Sequence, residues 1–65
     1  MAYAYAPVEL GQVLEVVVDA AGPHGQGVAH IEEFVIFVTG GKVGQAARVK
    51  ITKVARTFAE GLRVG

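Results

Sequence analysis

The stretch EEFVIFVTGG, residues 32–41, limits what this chain can fold into more than any other feature of its sequence. Five large apolar residues run without a break between two glutamates and two glycines. A β-strand sends alternate side chains to opposite faces, so Phe34, Ile36 and Val38 are predicted to share one face, and Phe37 lies on the other. A chain of 65 residues buries only about 60% of the surface that its unfolded form exposes. One face of this strand is therefore expected to meet solvent or a partner.

Stability has to come from an apolar core. The chain contains no cysteine, which excludes a disulfide framework. The classical metal ligands beyond carboxylates are His24 and His30, too few for a closed structural zinc site. Hydrophobic residues make up 52% of the chain, enough for the core of one domain. We expect no metal and no cofactor.

No targeting signal is visible at the start of the chain. Residues 1–7 have neither a basic beginning nor a long apolar stretch, so they do not resemble a secretory signal. The longest apolar run is far shorter than the ~20 residues that span a bilayer. We expect a soluble cytoplasmic protein, with residues 1–7 as a flexible lead-in and residues 8–65 as one domain.

The charges are segregated along the chain although the formal net charge is zero. Residues 1–41 hold five acids and no lysine or arginine, whereas residues 42–65 hold all six bases and one acid, Glu60. Such a distribution predicts a dipolar surface whose basic stripe acts within about 8 Å in cellular salt. The other interpretation is chance segregation on a solvated surface.

The pattern of apolar residues and glycines is typical of an all-β chain. Alternating and β-branched residues predict strands at residues 11–20, 28–31, 34–38 and 46–54. Glycine-rich turns separate most of them. Val54 falls out of phase with the apolar residues before it, so a bulge or bend is expected near Thr52 and Lys53.

The last segment is compatible with either a helix or a strand. Val54, Phe58 and Leu62 recur every four residues, as in an amphipathic helix. Phe58, Leu62 and Val64 equally fit one face of a strand. With four or five short strands in so small a chain, a closed OB-like or SH3-like barrel is expected, because closure removes exposed edges.

The residue inventory argues against an enzyme. The chain has no serine, cysteine or asparagine, which removes the usual nucleophiles and the common amide oxyanion donors. The glycine-rich segment at residues 22–27 superficially matches a phosphate loop, but such loops open a helix and here a strand-like segment follows. We expect neither catalysis nor a small-molecule substrate.

The chain from Gly11 to Val64, about five sixths of its length, resembles a TRAM domain. The resembling residues form one ordered series, GQGVAHIEEFVIFVTGGKVGQAARVKITKVARTFAEG. They comprise the glycine loop and second strand, the signature strand and turn, the alternating basic strand and a final segment. Three positions differ from the family pattern: His30 replaces a common arginine or lysine, Glu33 a glycine and Thr39 a proline.

The resemblance implies a small five-stranded OB-like β-barrel in which RTFAEGLRV, residues 56–64, is the closing strand. TRAM domains usually deliver RNA to methylating or methylthiolating enzymes. Stand-alone archaeal copies are similar to cold-shock RNA chaperones, and this chain is expected to be such a copy, acting as a monomer on tRNA or other structured RNAs. The alternative is a protein-interaction barrel in a ribosomal or RNA-modification complex.

Single-stranded RNA binds where aromatic rings accept stacked bases and basic side chains follow the phosphates. Phe34 and Phe58 are the predicted platforms, and Phe37 is either core or platform; the alternative is that all three rings are core. Arg48 and Lys50 alternate with the apolar residues of their strand and are predicted phosphate contacts. The remaining candidates are His30, Lys42, Lys53 and Arg56. No membrane association is expected.

Overall fold

The computed structural model describes residues 7–65, which form one curled β-sheet without a helix. The predicted lead-in, residues 1–7, lies outside the described residues except for Pro7. No helix in the described part of the chain could cross a membrane. The strands are β1 (Val13–Val17), β2 (Ala20–Ala21), β3 (Gly27–Ile31), β4 (Phe34–Thr39), β5 (Ala46–Val54) and β6 (Phe58–Arg63).

The sheet has the strand order β1-β5-β6-β4-β3-β2, so β1 and β2 lie at opposite edges although they follow each other in the chain. Two residues between them carry the chain from one edge to the other. The Val18 amide donates to the Gln45 carbonyl at 3.0 Å, and the Asp19 amide donates to the Val28 carbonyl at 2.9 Å. The predicted OB-like barrel is confirmed; its first predicted strand, residues 11–20, is divided by this bend into β1 and β2.

Strand β4 shows how the opening apolar run is accommodated. Phe34 is 8% exposed, and Ile36 and Val38 are fully buried, so these three face the core. Val35 and Phe37 are half-buried on the opposite face. The core facing β4 consists of apolar residues from the other strands and from the segment before β1: Val8, Val16, Ala29, Ala47, Val49, Ile51 and Ala59.

The end of the chain is a strand, and the helical interpretation of it is wrong. β6 lies between β4 and β5, parallel to β4 and antiparallel to β5. Its register with β5 shifts between Ile51 and Lys53, which confirms the predicted bulge. At that shift the Thr52 hydroxyl donates to the Glu60 carbonyl at 3.2 Å. Since a bulge turns side chains to new positions, Lys53 lies opposite Glu60 on the outside of the barrel.

The turn between β3 and β4 contains the one positive φ of a non-glycine residue among residues 7–65. Glu32 has φ of 56°, whereas Glu33, where the family pattern has glycine, does not have a positive φ. Left-handed backbone costs a residue with a Cβ about 1–2 kcal/mol. The sequence therefore forms this tight turn at some cost in stability.

Candidate nucleic-acid interface

The outer face of β4 and β6 carries two aromatic side chains next to each other. In the parallel pairing, Val35 lies beside Phe58 and Phe37 lies beside Glu60. These side chains point away from the core because the alternate residues of both strands are buried. We use the term outer face for this solvent-facing side of the sheet.

Phe37 and Phe58 contact each other on the outer face. Their ring centroids are 5.8 Å apart and their planes meet at 71°, an edge-to-face arrangement. The Lys53 ammonium lies 5.9 Å from the centroid of the Phe58 ring, within range of a cation–π interaction. Two rings at this angle cannot both lie parallel to the same base, so a base stacked on one ring has the other ring at its edge.

An open groove of about 580 Å³ lies over these rings, and we call it the aromatic groove. Phe37, Phe58, Thr39 and Glu60 form its floor, with Gly40 at one end. The loop Pro23–Gln26 forms its wall.

The wall is held by hydrogen bonds within its own loop. The Gly22 amide donates to the Gln26 carbonyl at 2.7 Å, and the Gly25 amide donates to the Gly22 carbonyl at 3.2 Å. The His24 amide donates to the Gln26 Oε1 at 2.9 Å. Gly25 has φ of 81°, which glycine adopts without the steric cost of a Cβ. These hydrogen bonds stabilise the loop in this shape.

Phe34 is not a stacking platform, which corrects the prediction made for it. Its ring packs in the core cluster, and only 8% of its surface is exposed. The reason is parity: Phe34 is an odd number of positions from Phe37, so only one of the two can face outward. Phe37 takes the outer position, and the alternative in which all three rings are core is excluded by the half-exposed Phe37 and Phe58.

Three basic candidates share the outer face with the aromatic pair. Lys53 is in contact with the Phe58 ring. His30 is separated from Phe58 by Val35, because His30 pairs with Val35 on β4. Lys50 pairs with Leu62 of β6, and Leu62 pairs with Thr39, which lines the aromatic groove. Of these three side chains, Lys53 is the one with a direct contact to a ring.

The other basic candidates have different neighbours. Arg48 is exposed on β5 opposite Glu15 of β1, and Lys42 is exposed in the turn between β4 and β5. Arg56 lines a separate, smaller depression together with Glu32, Glu33 and Phe34. The structure thus does not gather all the predicted bases into one stripe.

Acids accompany several of these bases although the two are segregated along the sequence. Glu15 pairs with Arg48, and Glu60 pairs with Lys53, each across neighbouring strands. In the described part of the chain, the one pair of side chains at ion-pair distance is His30 and Asp19, with 3.1 Å between the His30 Nδ1 and the Asp19 Oδ2. Strand pairing therefore places acids of residues 1–41 next to bases of residues 42–65. The separation of charge on the surface is smaller than the sequence predicted.

Sequence reasoning missed two parts of the aromatic groove. Glu60 follows Phe58 by two residues, so strand alternation alone could have placed it on the same face. The loop Pro23–Gln26 is remote in sequence from both rings, and no pattern indicates that it folds over them. Among residues 7–65, no group of three acidic or histidine side chains could hold a metal ion.

The chain is similar to part of two kinds of known protein. It is 49% identical over 49 residues to ribosomal RNA large subunit methyltransferase E of Methanocella arvoryzae, covering 75% of this chain and 19% of that protein. It is 36% identical over 52 residues to translation initiation factor 2 subunit beta of Methanosarcina mazei, covering 80% of this chain and 26% of that protein. The chain thus spans about a fifth to a quarter of these curated relatives.

A solved structure has the same fold. The solution structure of a conserved protein from Methanococcus maripaludis superposes with a TM-score of 0.86 and 40% identity, covering 92% of this chain and 86% of that one. The TRAM domain family model matches residues 7–62, which include all six strands apart from Arg63 at the end of β6. The chain therefore belongs to the TRAM domain family.

Proposed function

We propose that this domain binds RNA without catalysing a reaction, and that it favours single-stranded or locally unpaired segments. The observation that carries the proposal is the outward pair Phe37 and Phe58 in the aromatic groove, with the Lys53 ammonium over the Phe58 ring. Stacking of a base on such a ring contributes about 1–3 kcal/mol and tolerates any sequence, because every base has a π-face. Lys53, Lys50 and His30 lie on the same outer face and are the proposed phosphate contacts.

The relatives support this proposal. One is a methyltransferase of ribosomal RNA and another is a subunit of a translation initiation factor. Since this chain matches only about a fifth to a quarter of each, the shared segment corresponds to a domain and not to the methyl-transfer activity. Recognition of RNA is a role that such a domain can have in both kinds of protein.

The finer proposal is chaperone-like action on structured RNAs, tRNA among them. The aromatic groove is open, and its rings are half-buried. A base that stacks there loses its pairing partner for a short time and leaves without a large barrier. Repeated trapping and release of unpaired bases would allow misfolded RNA to rearrange.

The test is fluorescence anisotropy with a labelled single-stranded RNA, repeated with the corresponding duplex and over a range of salt concentrations. We expect a preference for the single strand and a slope of log K against log salt of about −2 to −4, which corresponds to roughly three to six phosphate contacts. Unwinding of a hairpin that carries a fluorophore and a quencher tests the chaperone-like action.

Absence of binding at low salt would overturn the RNA proposal. A protein-interaction barrel would then be favoured, and the exposed side chains of Leu10, Val17 and Val43 offer apolar surface for it.

A further inference from the structure

We propose that the aromatic groove prefers guanine, because the exposed Glu60 side chain lines the groove and pairs with Phe37 across the β4–β6 ladder, within reach of the edge of a base stacked on that ring. This inference rests on the proposed RNA binding and adds a base preference to it. It assigns a role to the acidic residue of the groove, which neither stacking nor phosphate binding requires.

Glu60 occupies a defined place beside the aromatic platform. It pairs with Phe37 across the parallel β4–β6 ladder and with Lys53 across the β5–β6 ladder. Neighbouring strands are about 4.8 Å apart, so a ring system that stacks on Phe37 reaches the position of the Glu60 side chain. Glu60 also lines the same groove as both rings.

The carboxylate of Glu60 is available to a ligand. Within residues 7–65, it accepts no hydrogen bond, and no lysine or arginine nitrogen lies within ion-pair distance of it. Gln26, the other long polar side chain of the groove, already accepts a hydrogen bond from the His24 amide through its Oε1. Glu60 therefore offers two free acceptor oxygens next to the platform.

A carboxylate in this place is unfavourable for a phosphate and favourable for a donor. Two like charges a few ångströms apart repel each other near a protein surface. The phosphates are therefore expected to lie away from Glu60, and a base edge that donates hydrogen bonds is favoured beside it. A carboxylate pairs best with two adjacent N–H donors, because its two oxygens accept in parallel.

Guanine presents such a pair of donors on its Watson–Crick edge, N1–H beside the N2 amino group. Cytosine and adenine place one amino donor beside an acceptor nitrogen, and uracil places one N–H between two carbonyl oxygens. The expected order of affinity is guanine first, cytosine and adenine next, and uracil last. A bidentate side-chain pair discriminates its base from a wrong one by roughly fivefold to more than a hundredfold.

The experiment compares three labelled RNA octamers: all uridine, one central guanosine in uridine, and one central inosine in uridine. A single guanosine avoids quadruplex formation, and inosine keeps N1–H but lacks the N2 amino group. Because the groove is open to water, we expect the lower part of the bidentate range, about five- to tenfold tighter binding of the guanosine octamer than of the uridine octamer. Inosine is expected to lie between them.

The variant that tests the role of the carboxylate is Glu60→Gln. It is expected to bring the guanosine-to-uridine ratio to about one to two, while affinity for the uridine octamer rises because repulsion of phosphates is removed. The matched control is Glu15→Gln, which removes the same charge from an exposed strand position outside the groove. This control is expected to raise affinity for all three octamers and to leave the ratio unchanged.

The possible results distinguish the guanine preference from the proposed RNA binding. Equal affinity of the unaltered protein for the three octamers would overturn the guanine preference and leave RNA binding intact. A guanosine preference that persists in Glu60→Gln would show that another group reads the base, and would also overturn the inference. Absence of binding to every octamer would overturn both.

Discussion

Phe37 and Phe58 meet edge to face across the parallel β4–β6 pair, with ring centroids 5.8 Å apart and an interplanar angle of 71°. They are diagonal neighbours, since Phe37 pairs with Glu60 and Phe58 pairs with Val35. Parallel pairing of two strands that are distant in sequence thus brings two rings together on the outside of the barrel. The contact orients both rings, so little ordering of side chains would oppose the proposed stacking of a base.

Removal of either outward ring is expected to weaken RNA binding, at some cost in stability because both rings are partly buried and contact each other. Phe37→Ala and Phe58→Ala should each raise the dissociation constant for single-stranded RNA by roughly tenfold, because one stacked base contributes about 1–3 kcal/mol. The measurement is anisotropy with a uridine octamer, with urea unfolding to verify the fold. Val35→Ala, at a half-buried position of the same outer face, is the matched control and should leave affinity nearly unchanged. Full affinity in the Phe37→Ala, Phe58→Ala double variant would rule out stacking.

Phe34 is expected to show the opposite behaviour, because its ring is part of the core. Phe34→Ala should lower the free energy of unfolding by about 3–5 kcal/mol, the usual loss for a large buried ring. Phe34→Leu keeps most of the apolar volume, so a smaller loss is expected. Urea unfolding measures both changes. If Phe34→Leu remained fully folded but lost RNA affinity, Phe34 would have a binding role that its burial does not indicate.

Lys53 and Arg56 are three residues apart but lie in different surroundings, and their variants should differ in salt dependence. Lys53 lies over the Phe58 ring, whereas Arg56 lines the separate depression near Glu32 and Glu33. Lys53→Gln should reduce the magnitude of the log K against log salt slope by about 0.7, the value of one phosphate contact on a single strand. Arg56→Gln should leave the slope close to that of the unaltered protein.

The comparison is made by anisotropy at four or more salt concentrations with one RNA. Lys53→Arg keeps the charge and should restore the slope. Equal reductions in Lys53→Gln and Arg56→Gln would mean that the phosphate path also crosses the Arg56 depression, contrary to our assignment.

The strands were predictable because their signals are local. Alternation of apolar residues gives the inner and outer sides of β4 and β5, and the phase change before Val54 gives the bulge. The final segment fits both the helical and the strand periodicity, and the pattern alone does not decide between a helix and a strand. Its place between β4 and β5 makes it a strand, because only an extended chain can satisfy the hydrogen-bonding groups of both neighbouring strands.

The candidate site was less predictable because it depends on contacts between distant segments. Strand alternation predicts that Phe34 and Phe37 lie on opposite faces of β4. Which of the two faces outward depends on how β4 packs against the other strands. The approach of the loop Pro23–Gln26 to the rings depends on the β3–β4 and β4–β6 registers together. The interleaving of acids and bases follows from pairings such as that of Glu15 with Arg48, which charge counts along the chain do not contain.

Glu32 holds a positive φ that a glycine would adopt without strain. Glu32→Gly is therefore expected to raise the free energy of unfolding by about 0.5–1 kcal/mol, since relief of left-handed strain exceeds the added flexibility of the unfolded chain. Glu33→Gly is the matched control: it removes the same charge next to Arg56 but relieves no such strain. It should lower stability by about 0.4–1 kcal/mol. Urea unfolding measures both, and equal effects of the two variants would contradict the assignment of strain to Glu32.

Gly61 lies where the backbone of β6 approaches the core too closely for a side chain. A Cβ at this position would overlap the Val49 side chain and would lie 3.1 Å from the Lys50 carbonyl oxygen. Gly61→Ala is expected to lower the free energy of unfolding by about 1–3 kcal/mol, as overpacking of a close-packed core does. Gly65→Ala is the control, because its Cβ would meet Arg48 at an ordinary 3.6 Å.

A double variant separates this overlap from other effects of an alanine in β6. Val49→Ala alone creates a cavity and lowers stability, but it also removes the methyl groups that a Cβ at Gly61 would meet. The variant Gly61→Ala, Val49→Ala should therefore lose less stability than the sum of the two single losses, by about 1 kcal/mol or more. Urea unfolding of all four proteins gives this coupling energy. Strictly additive losses would mean that the cost at position 61 comes from the Lys50 backbone and not from the Val49 side chain, since the backbone contact remains when the valine is shortened.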